Sequence, residues 1–394
     1  MTLAIVGIAG LPNNYGGFET LADYLVENLS GDIDITVYCS SVDMKSRLRT
    51  YKGASLKYIP FTSHGAFGIM YDSIALFKAV FKHDKVLFLG FGGGFVIPFL
   101  RKYKSKIILN IGGLDWKRDK WSPFAKKVIK AAEELLVKNS GHIISDNIGI
   151  QNYLLEEYGK ESMLIAYGGD QAKKQAIPEN LLGAYPFLKS RYAFSVTRIQ
   201  SDNNIEMILD AFSAQDKMPL VMVGNWQNSG YGKSMKMKYS NKDNLILLDA
   251  IYDRERLDIL RSNCTLYIHG HSAGGTNPSL AEAMFLGLPI FAFASGYNEY
   301  TTEYKALYFQ GVDQLTALVA EYNSLDLSSM GKEMKNIADV SYRWSNIASK
   351  YHDVFESAMM PSNRKDLREA QAIKVDPSMQ REAIRSNQTT VLPS

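Results

Sequence analysis

The sequence predicts an α/β protein of two doubly wound domains, and three observations carry that expectation. Short β-branched runs alternate with longer amphipathic ones along most of the chain, as in parallel strands joined by crossover helices. The alternation pauses around residues 168–190 and then restarts. At 394 residues the chain also exceeds the roughly 250–300 residues at which one hydrophobic core stops growing.

In the first domain, residues 1–168, the expected strands are Leu3–Val6, Ile33–Tyr38, Leu56–Ile59, Val86–Leu89, Ile107–Leu109 and His142–Ser145. Helical spacing runs through Phe18–Leu29, Ile69–Phe81, Pro123–Lys138 and Ile148–Tyr158. The second domain, residues 169–341, has Tyr192–Thr197, Leu220–Val223, Leu245–Leu248, Thr265–Ile268 and Ile290–Phe293 as strands. A Trp- and Tyr-containing helix is expected at 342–360. Residues 361–394 hold no aromatic residue and a mix of charged and polar ones; that composition buries little apolar surface, so a mobile tail is expected. Two such domains face each other across a cleft at the carboxyl ends of their strands.

Composition narrows the classes. Hydrophobic residues make up 46% and charged residues 22% of the chain, and its net charge is +3. That near-neutrality gives nucleic-acid binding no support. The two cysteines, Cys39 and Cys264, lie in apolar surroundings, expected on strands as reduced core thiols, which suits a cytoplasmic protein. The first residues run straight into a strand, with neither a basic region nor a small-residue cleavage site, so no signal peptide is expected. Val86–Leu100 is apolar but interrupted by Gly90, Gly92, Gly93, Gly94 and Pro98, too short and broken to span a bilayer.

The most informative stretch is Gly274-Gly275-Thr276-Asn277-Pro278-Ser279-Leu280-Ala281-Glu282-Ala283-Met284, set between two apolar runs. It predicts strand, glycine-rich loop, short helix and strand. Asn277 suits an N-cap and Pro278 the first helical turn, where its missing N–H costs nothing. The glycines allow close backbone approach, and free amides at a helix start favour an anion. Ser279 and Glu282, three apart, share a helix face. Diphosphate on the amides and ribose hydroxyls on the carboxylate would suit a nucleotide; an ordinary glycine-rich crossover is the other reading.

A second glycine-rich loop follows the first strand: Gly7-Ile8-Ala9-Gly10-Leu11-Pro12-Asn13-Asn14-Tyr15-Gly16-Gly17-Phe18-Glu19-Thr20. It lacks the compact Gly-x-Gly-x-x-Gly turn, and the second strand ends Cys39-Ser40-Ser41 without the acid that holds a dinucleotide ribose, which disfavours NAD. Gly16 and Gly17 instead stand at a helix start, able to offer amides to a phosphate held by the other domain.

Together, Gly10-Leu11-Pro12…Tyr15-Gly16-Gly17-Phe18-Glu19-Thr20 and Gly274–Ser279 with Glu282-Ala283-Met284 resemble a GT-B glycosyltransferase of family 4. More narrowly, the chain is similar to bacterial rhamnosyltransferase-like enzymes of polysaccharide and O-antigen assembly. Leu114-Asp115-Trp116-Lys117-Arg118-Asp119-Lys120-Trp121, Tyr167-Gly168-Gly169-Asp170, Arg198 with Asn203-Asn204-Ile205, and Gly224-Asn225-Trp226 agree, in the expected order, over residues 1–358. The resemblance implies two Rossmann-like domains, an acceptor on the first, a nucleotide-sugar on the second, and a C-terminal helix crossing back to the first. It implies no metal and no cofactor beyond the donor itself; Asp32-Ile33-Asp34 straddles a strand start. The donor side would comprise Gly16, Gly17, Asn203, Asn225, Gly275, Thr276, Asn277, Ser279 and Glu282.

Three departures stand out. The family's Glu eight residues before Glu282 is Gly274, and its Lys five residues after the Arg is Asn203. The subgroup's Asp-Gly-Leu-Glu-Trp is here Gly112-Gly113-Leu114-Asp115-Trp116, leaving Asp115 as its one carboxylate.

Arg198 follows a strand that ends at the cleft, where a guanidinium can neutralise a leaving diphosphate with two hydrogen bonds. Asp115 either positions or deprotonates the acceptor hydroxyl or holds the Lys117–Arg118 loop in shape. His269 and His271 flank the donor loop and either touch ligand or close off a strand end. Between Phe99 and Lys138 lie Arg101, Lys102, Lys104, Lys106, Lys117, Arg118, Lys120, Lys126, Lys127, Lys130 and Lys138, with Trp116, Trp121 and Phe124 interleaved. This cluster suits either an anionic membrane surface or plain solvation, with Lys126, Lys127 and Lys130 able to share one helix face. The resemblance implies a metal-independent, retaining transferase, and the basic-aromatic cluster would place it peripherally on the inner face of the cytoplasmic membrane. It would move L-rhamnose from dTDP-rhamnose to a lipid-linked saccharide. A nucleotide-sugar epimerase and a silent saccharide-binding protein are the alternatives.

Overall fold

A computed structural model describes residues 1–12, 16–118 and 121–357. Asn13, Asn14 and Tyr15 of the first loop, Asp119 and Lys120 of the acceptor motif, and the predicted tail at 361–394 lie outside the described residues.

The first sheet has eight strands: β1 Thr2–Val6, β2 Asp34–Ser40, β3 Thr50–Tyr51, β4 Ala54–Ile59, β5 Lys85–Leu89, β6 Ile107–Asn110, β7 His142–Ser145 and β8 Met163–Leu164. Their order is β3-β4-β2-β1-β5-β6-β7-β8. All neighbours pair in parallel save the short β3–β4 hairpin. The second sheet has six: β9 Ala193–Val196, β10 Leu220–Gly224, β11 Leu245–Asp249, β12 Leu266–His269, β13 Ile290–Phe293 and β14 Leu307–Phe309. Its order is β11-β10-β9-β12-β13-β14, wholly parallel.

Strand order reverses between β1 and β5 in the first sheet and between β9 and β12 in the second. Crevices open at such reversals, outside the carboxyl ends of the strands. The loops there carry Gly7–Gly17 and Gly90–Gly94 on one side, and Arg198 and His269–Thr276 on the other. Asp32 and Asp34 lie at the opposite, amino end of β2, exposed and remote from these loops.

Each strand run predicted from the sequence is present within one or two residues. The hairpin strand β3 and the two edge strands β8 and β14 were not expected; at two or three residues each they are too short to show a periodicity. Cys39 lies on β2, but Cys264 stands in the turn before β12; both are buried. Burial holds the Cys39 thiol at about 11 and pushes the Cys264 thiol up as well.

The expected return helix is Trp344–Ser357. It starts where Trp344, buried, stacks on Tyr24 of the first helix, Gly17–Leu29, at 4.4 Å between ring centroids. The indole Nε1 donates to Gln171 Oε1 at 2.7 Å. Seven residues on, the Tyr351 hydroxyl accepts from Asn110 Nδ2 at 2.7 Å, at the carboxyl end of β6. The chain thereby returns from the second sheet to the first.

Candidate functional site

The donor loop follows β12. Its helix, Pro278–Phe285, begins as the sequence predicts: Asn277 caps it, Oδ1 accepting from Ser279 N at 3.0 Å and from Ser279 Oγ at 2.8 Å. Gly274 and Gly275 have φ of 89° and 35°, backbone that favours glycine. An added Cβ on Gly274 would stand 2.6 Å from Gly113 Cα, and one on Gly275 2.4 Å from Asp146 Oδ2. The turn is therefore pressed backbone to backbone against the first domain. The Thr276 hydroxyl completes the contact by donating to the Asp146 carbonyl.

From the other side, the first helix starts at Gly17, preceded by Gly16 with φ 140°. A Cβ on Gly17 would lie 3.9 Å from the Pro278 ring. Two helix starts, one per domain, thus lie side by side; in the second, Asn277 already accepts from the amides of Ser279, Leu280 and Ala281, so an anion there would be met by the glycine turn before the helix.

Arg198 follows β9 at the same reversal. Asn203 and Asn225 shape its turn. Asn203, buried, donates from Nδ2 to the Arg198 carbonyl at 2.8 Å and meets His271 Nδ1 through Oδ1 at 2.9 Å. Asn225 Oδ1 accepts from Ile199 N at 2.9 Å. Burial holds the His271 imidazole down at about 4; the positive charges of Arg118 and Arg198 push the same way and Asp202 opposes them. A guanidinium from each domain therefore acts on one neutral histidine. His269, buried, is held at about 3 by burial and by His271.

Glu282 is engaged by protein. Its Oε1 accepts from Gln171 Nε2 at 2.5 Å and its Oε2 pairs with Arg261, which also pairs with Asp258 at 2.7 Å. Arg261 is fully buried, so this carboxylate is needed to keep a buried cation paired. A fifth of the Glu282 side chain still reaches solvent.

On the acceptor side, Asp115 Oδ1 lies 3.0 Å from Arg118 Nε and Oδ2 accepts from Trp121 Nε1 at 3.2 Å. The carboxylate holds this loop in shape, the second of its two readings. Lys130 does not join Lys126 and Lys127 at the surface. Its amine reaches the Tyr153 hydroxyl and Glu157, and it stands 4.7–4.8 Å from the ring centroids of Trp116, Tyr153 and Tyr158. Lys117 also covers Trp116, at 5.5 Å. Trp116 and Trp121 are thus parts of the loop's own packing. Exposed aromatics lie elsewhere, among them Phe77 and Phe81 on the helix Gly65–Lys82, Phe99 on the 3-10 helix Ile97–Lys106, and Phe124 at the start of the helix Pro123–Asn139. Lys78, Lys82, Arg101, Lys102, Lys104 and Lys127, all exposed, accompany them.

Sequence reasoning did not single out Asp146, Gln171 or Arg261. Asp146 was findable, an acid directly after a strand that ends at the cleft. Asn147 masked it, because Asp-Asn before a helical run reads as capping, and Asn147 does cap the next helix.

Known proteins share this fold. Residues 184–338 match the family described as glycosyl transferases group 1, and residues 1–170 match a domain of unknown function, DUF1972. Among solved structures, a sucrose-phosphate synthase from Thermosynechococcus elongatus superposes with a TM-score of 0.77 at 14% identity, covering 90% of this chain and 98% of that one. Anabaena HepE in complex with UDP-glucose gives 0.70 at 12%, covering 90% and 99%. The catalytic domain of starch synthase IV from Arabidopsis thaliana, bound to ADP and acarbose, gives 0.67 at 12%, covering 91% and 99%. No curated protein matches in sequence. The fold is the GT-B fold of two Rossmann-like domains, and the group 1 match supports sugar transfer.

The fit at Gly274 is directly testable. Gly274→Ala should cost about 1–3 kcal/mol from its backbone conformation alone, with a further cost from overlap with Gly113. Melting temperature and nucleotide affinity should both fall; a variant equal to wild type in both would contradict the backbone-to-backbone contact.

Proposed function

We propose that this protein is a glycosyltransferase that moves L-rhamnose from dTDP-rhamnose to a lipid-linked saccharide, with retention at the anomeric carbon. The observation that carries sugar transfer is the convergence of two helix starts, Gly17 and Asn277–Ser279, with Arg198 at the switch point of the second sheet. Breaking a glycosyl–phosphate bond leaves negative charge on a nucleotide diphosphate. Oriented amides and a guanidinium stabilise that charge as it develops, which is the main catalytic contribution expected here. This local positive field supports the metal-independent reading. Rhamnose and dTDP rest on the resemblance of the motifs to rhamnosyltransferase-like enzymes.

The acceptor would lie against the first domain. Lys117, Asn152, Tyr153, Glu156, Tyr297 and Tyr300 line an open pocket of about 290 Å³ beside the Asp115 loop. Tyrosine faces with amide and carboxylate groups suit a saccharide. For a lipid-linked acceptor, the exposed Phe77, Phe81, Phe99 and Phe124 among lysines supply what an anionic bilayer surface recognises, apolar insertion plus about 1 kcal/mol per basic residue. No helix among the described residues is long and apolar enough to cross a membrane.

Thermal shift with dTDP, UDP, GDP and ADP tests the donor. A ligand at about a hundred times its dissociation constant adds roughly 2.7 kcal/mol of stability, and dTDP should give the largest shift; no shift with any of the four would overturn the reading. Arg198→Lys keeps the charge and loses the fork, so turnover should fall more than donor affinity. Consumption of dTDP-rhamnose without an added saccharide would point instead to an epimerase.

Vesicle flotation tests the surface. Binding to vesicles containing phosphatidylglycerol should weaken with salt and be lost in the triple variant Lys102→Glu, Lys104→Glu, Lys127→Glu. Transfer to a short soluble acceptor should survive those changes. Salt-insensitive binding, or binding unaffected by the triple variant, would return these residues to ordinary solvated positions.

A further inference from the structure

Strand β7 ends at Ser145, and the next residue, Asp146, is a carboxylate only 3% exposed to solvent. It belongs to the first domain yet sits under the donor turn of the second. Its oxygens would lie 2.4 and 2.7 Å from a Cβ on Gly275, and its carbonyl takes the Thr276 hydroxyl. Its Oδ1 has no hydrogen-bond partner among the described residues. The next residue, Asn147, ties the same segment to the second domain again, donating from Nδ2 to the Tyr297 carbonyl and to Thr301 Oγ1, both at 3.1 Å.

An ionised carboxylate so placed would stand beside the helix start that is to receive a diphosphate. In a site shielded from water, two like charges at close range oppose each other strongly. A neutral Asp146 removes that repulsion and keeps the turn seated.

We propose that Asp146 is a positioning residue that lets the donor bind in its neutral form: seated against Gly275 and Thr276, it takes up one proton from solvent as the diphosphate arrives. The inference rests on the donor site described above and adds a group that the sequence did not assign. Burial already holds this acid up at about 7, against the pull of backbone hydrogen bonds from Thr276 and from Asp146 itself. The titratable groups around it are Tyr167, Tyr297, Tyr342 and Tyr351. Burial raises each of these, with the Asp146 charge adding to it, so they stay neutral across the relevant range. The sign follows: a folded-state acid near 7 is mostly neutral below that pH and ionised above it. Donor affinity should then fall as pH rises through 7, by up to about tenfold per unit at the limit.

Isothermal titration calorimetry with dTDP-rhamnose and UDP-glucose tests this, because an esterified diphosphate does not itself titrate near neutrality. Run at pH 7.5 in buffers of different ionisation enthalpy, wild type should take up roughly three-quarters of a proton per donor bound. Asp146→Asn should show no uptake and a flat affinity profile from pH 6 to 8.5. Donor binding by wild type without proton uptake, or a profile equally steep in Asp146→Asn, would overturn the role of Asp146 and leave the donor site standing. No binding of either nucleotide-sugar at any pH would overturn both.

Discussion

Two backbones meet where Gly274 lies against Gly113, and the placing of the donor helix depends on that approach. A β-carbon on Gly274 would stand 2.6 Å from Gly113 Cα. Because both positions are glycine, the turn after β12 can lie directly on the first domain and deliver Asn277 and Pro278 opposite Gly17. A glutamate could not occupy position 274 with this turn in place: it would need a left-handed conformation and space already filled by Gly113 and Leu114.

The same constraint organises the charges. With the turn seated, Arg118 from the first domain and Arg198 from the second both act on His271, which remains neutral. Positive charge gathers at the cleft, while three nearby acids are paired: Glu282 and Asp258 with Arg261, and Asp115 with Arg118 and Trp121. Asp146 forms no ion pair among the described residues, and it lies under the loop that would hold the donor. Glu282 has a structural duty as well as any ligand duty. Replacing it would leave Arg261 buried with Asp258 alone, so its loss should be felt in stability as well as in binding.

Much of this was legible in the sequence, for physical reasons. Parallel strands buried on both faces, such as β1 and β12, write continuous apolar runs, and Asn277-Pro278 writes a helix start that nothing else explains. The place of Arg198 was legible because it directly follows a central strand, β9. Partnerships across long separations left no such mark. No periodicity links Asp146 to Gly275, Gln171 to Glu282, or Lys130 to Trp116, and helical spacing alone put Lys130 outward with Lys126 and Lys127. The aromatic cage that draws it inward comes from two other segments, the Trp116 loop and the helix Ile148–Tyr158. Likewise helical spacing over residues 69–81 does not tell that Phe77 and Phe81 stay uncovered, which only the packed domain shows.

The claim that two helix starts share one diphosphate is tested most directly by hydrogen exchange, with and without saturating dTDP. The account predicts slowed exchange of the amides at Gly17–Glu19 in the first domain and at Gly275–Ala281 in the second, both within one complex. Protection confined to the second domain, or absent from Gly275–Ala281, would contradict it.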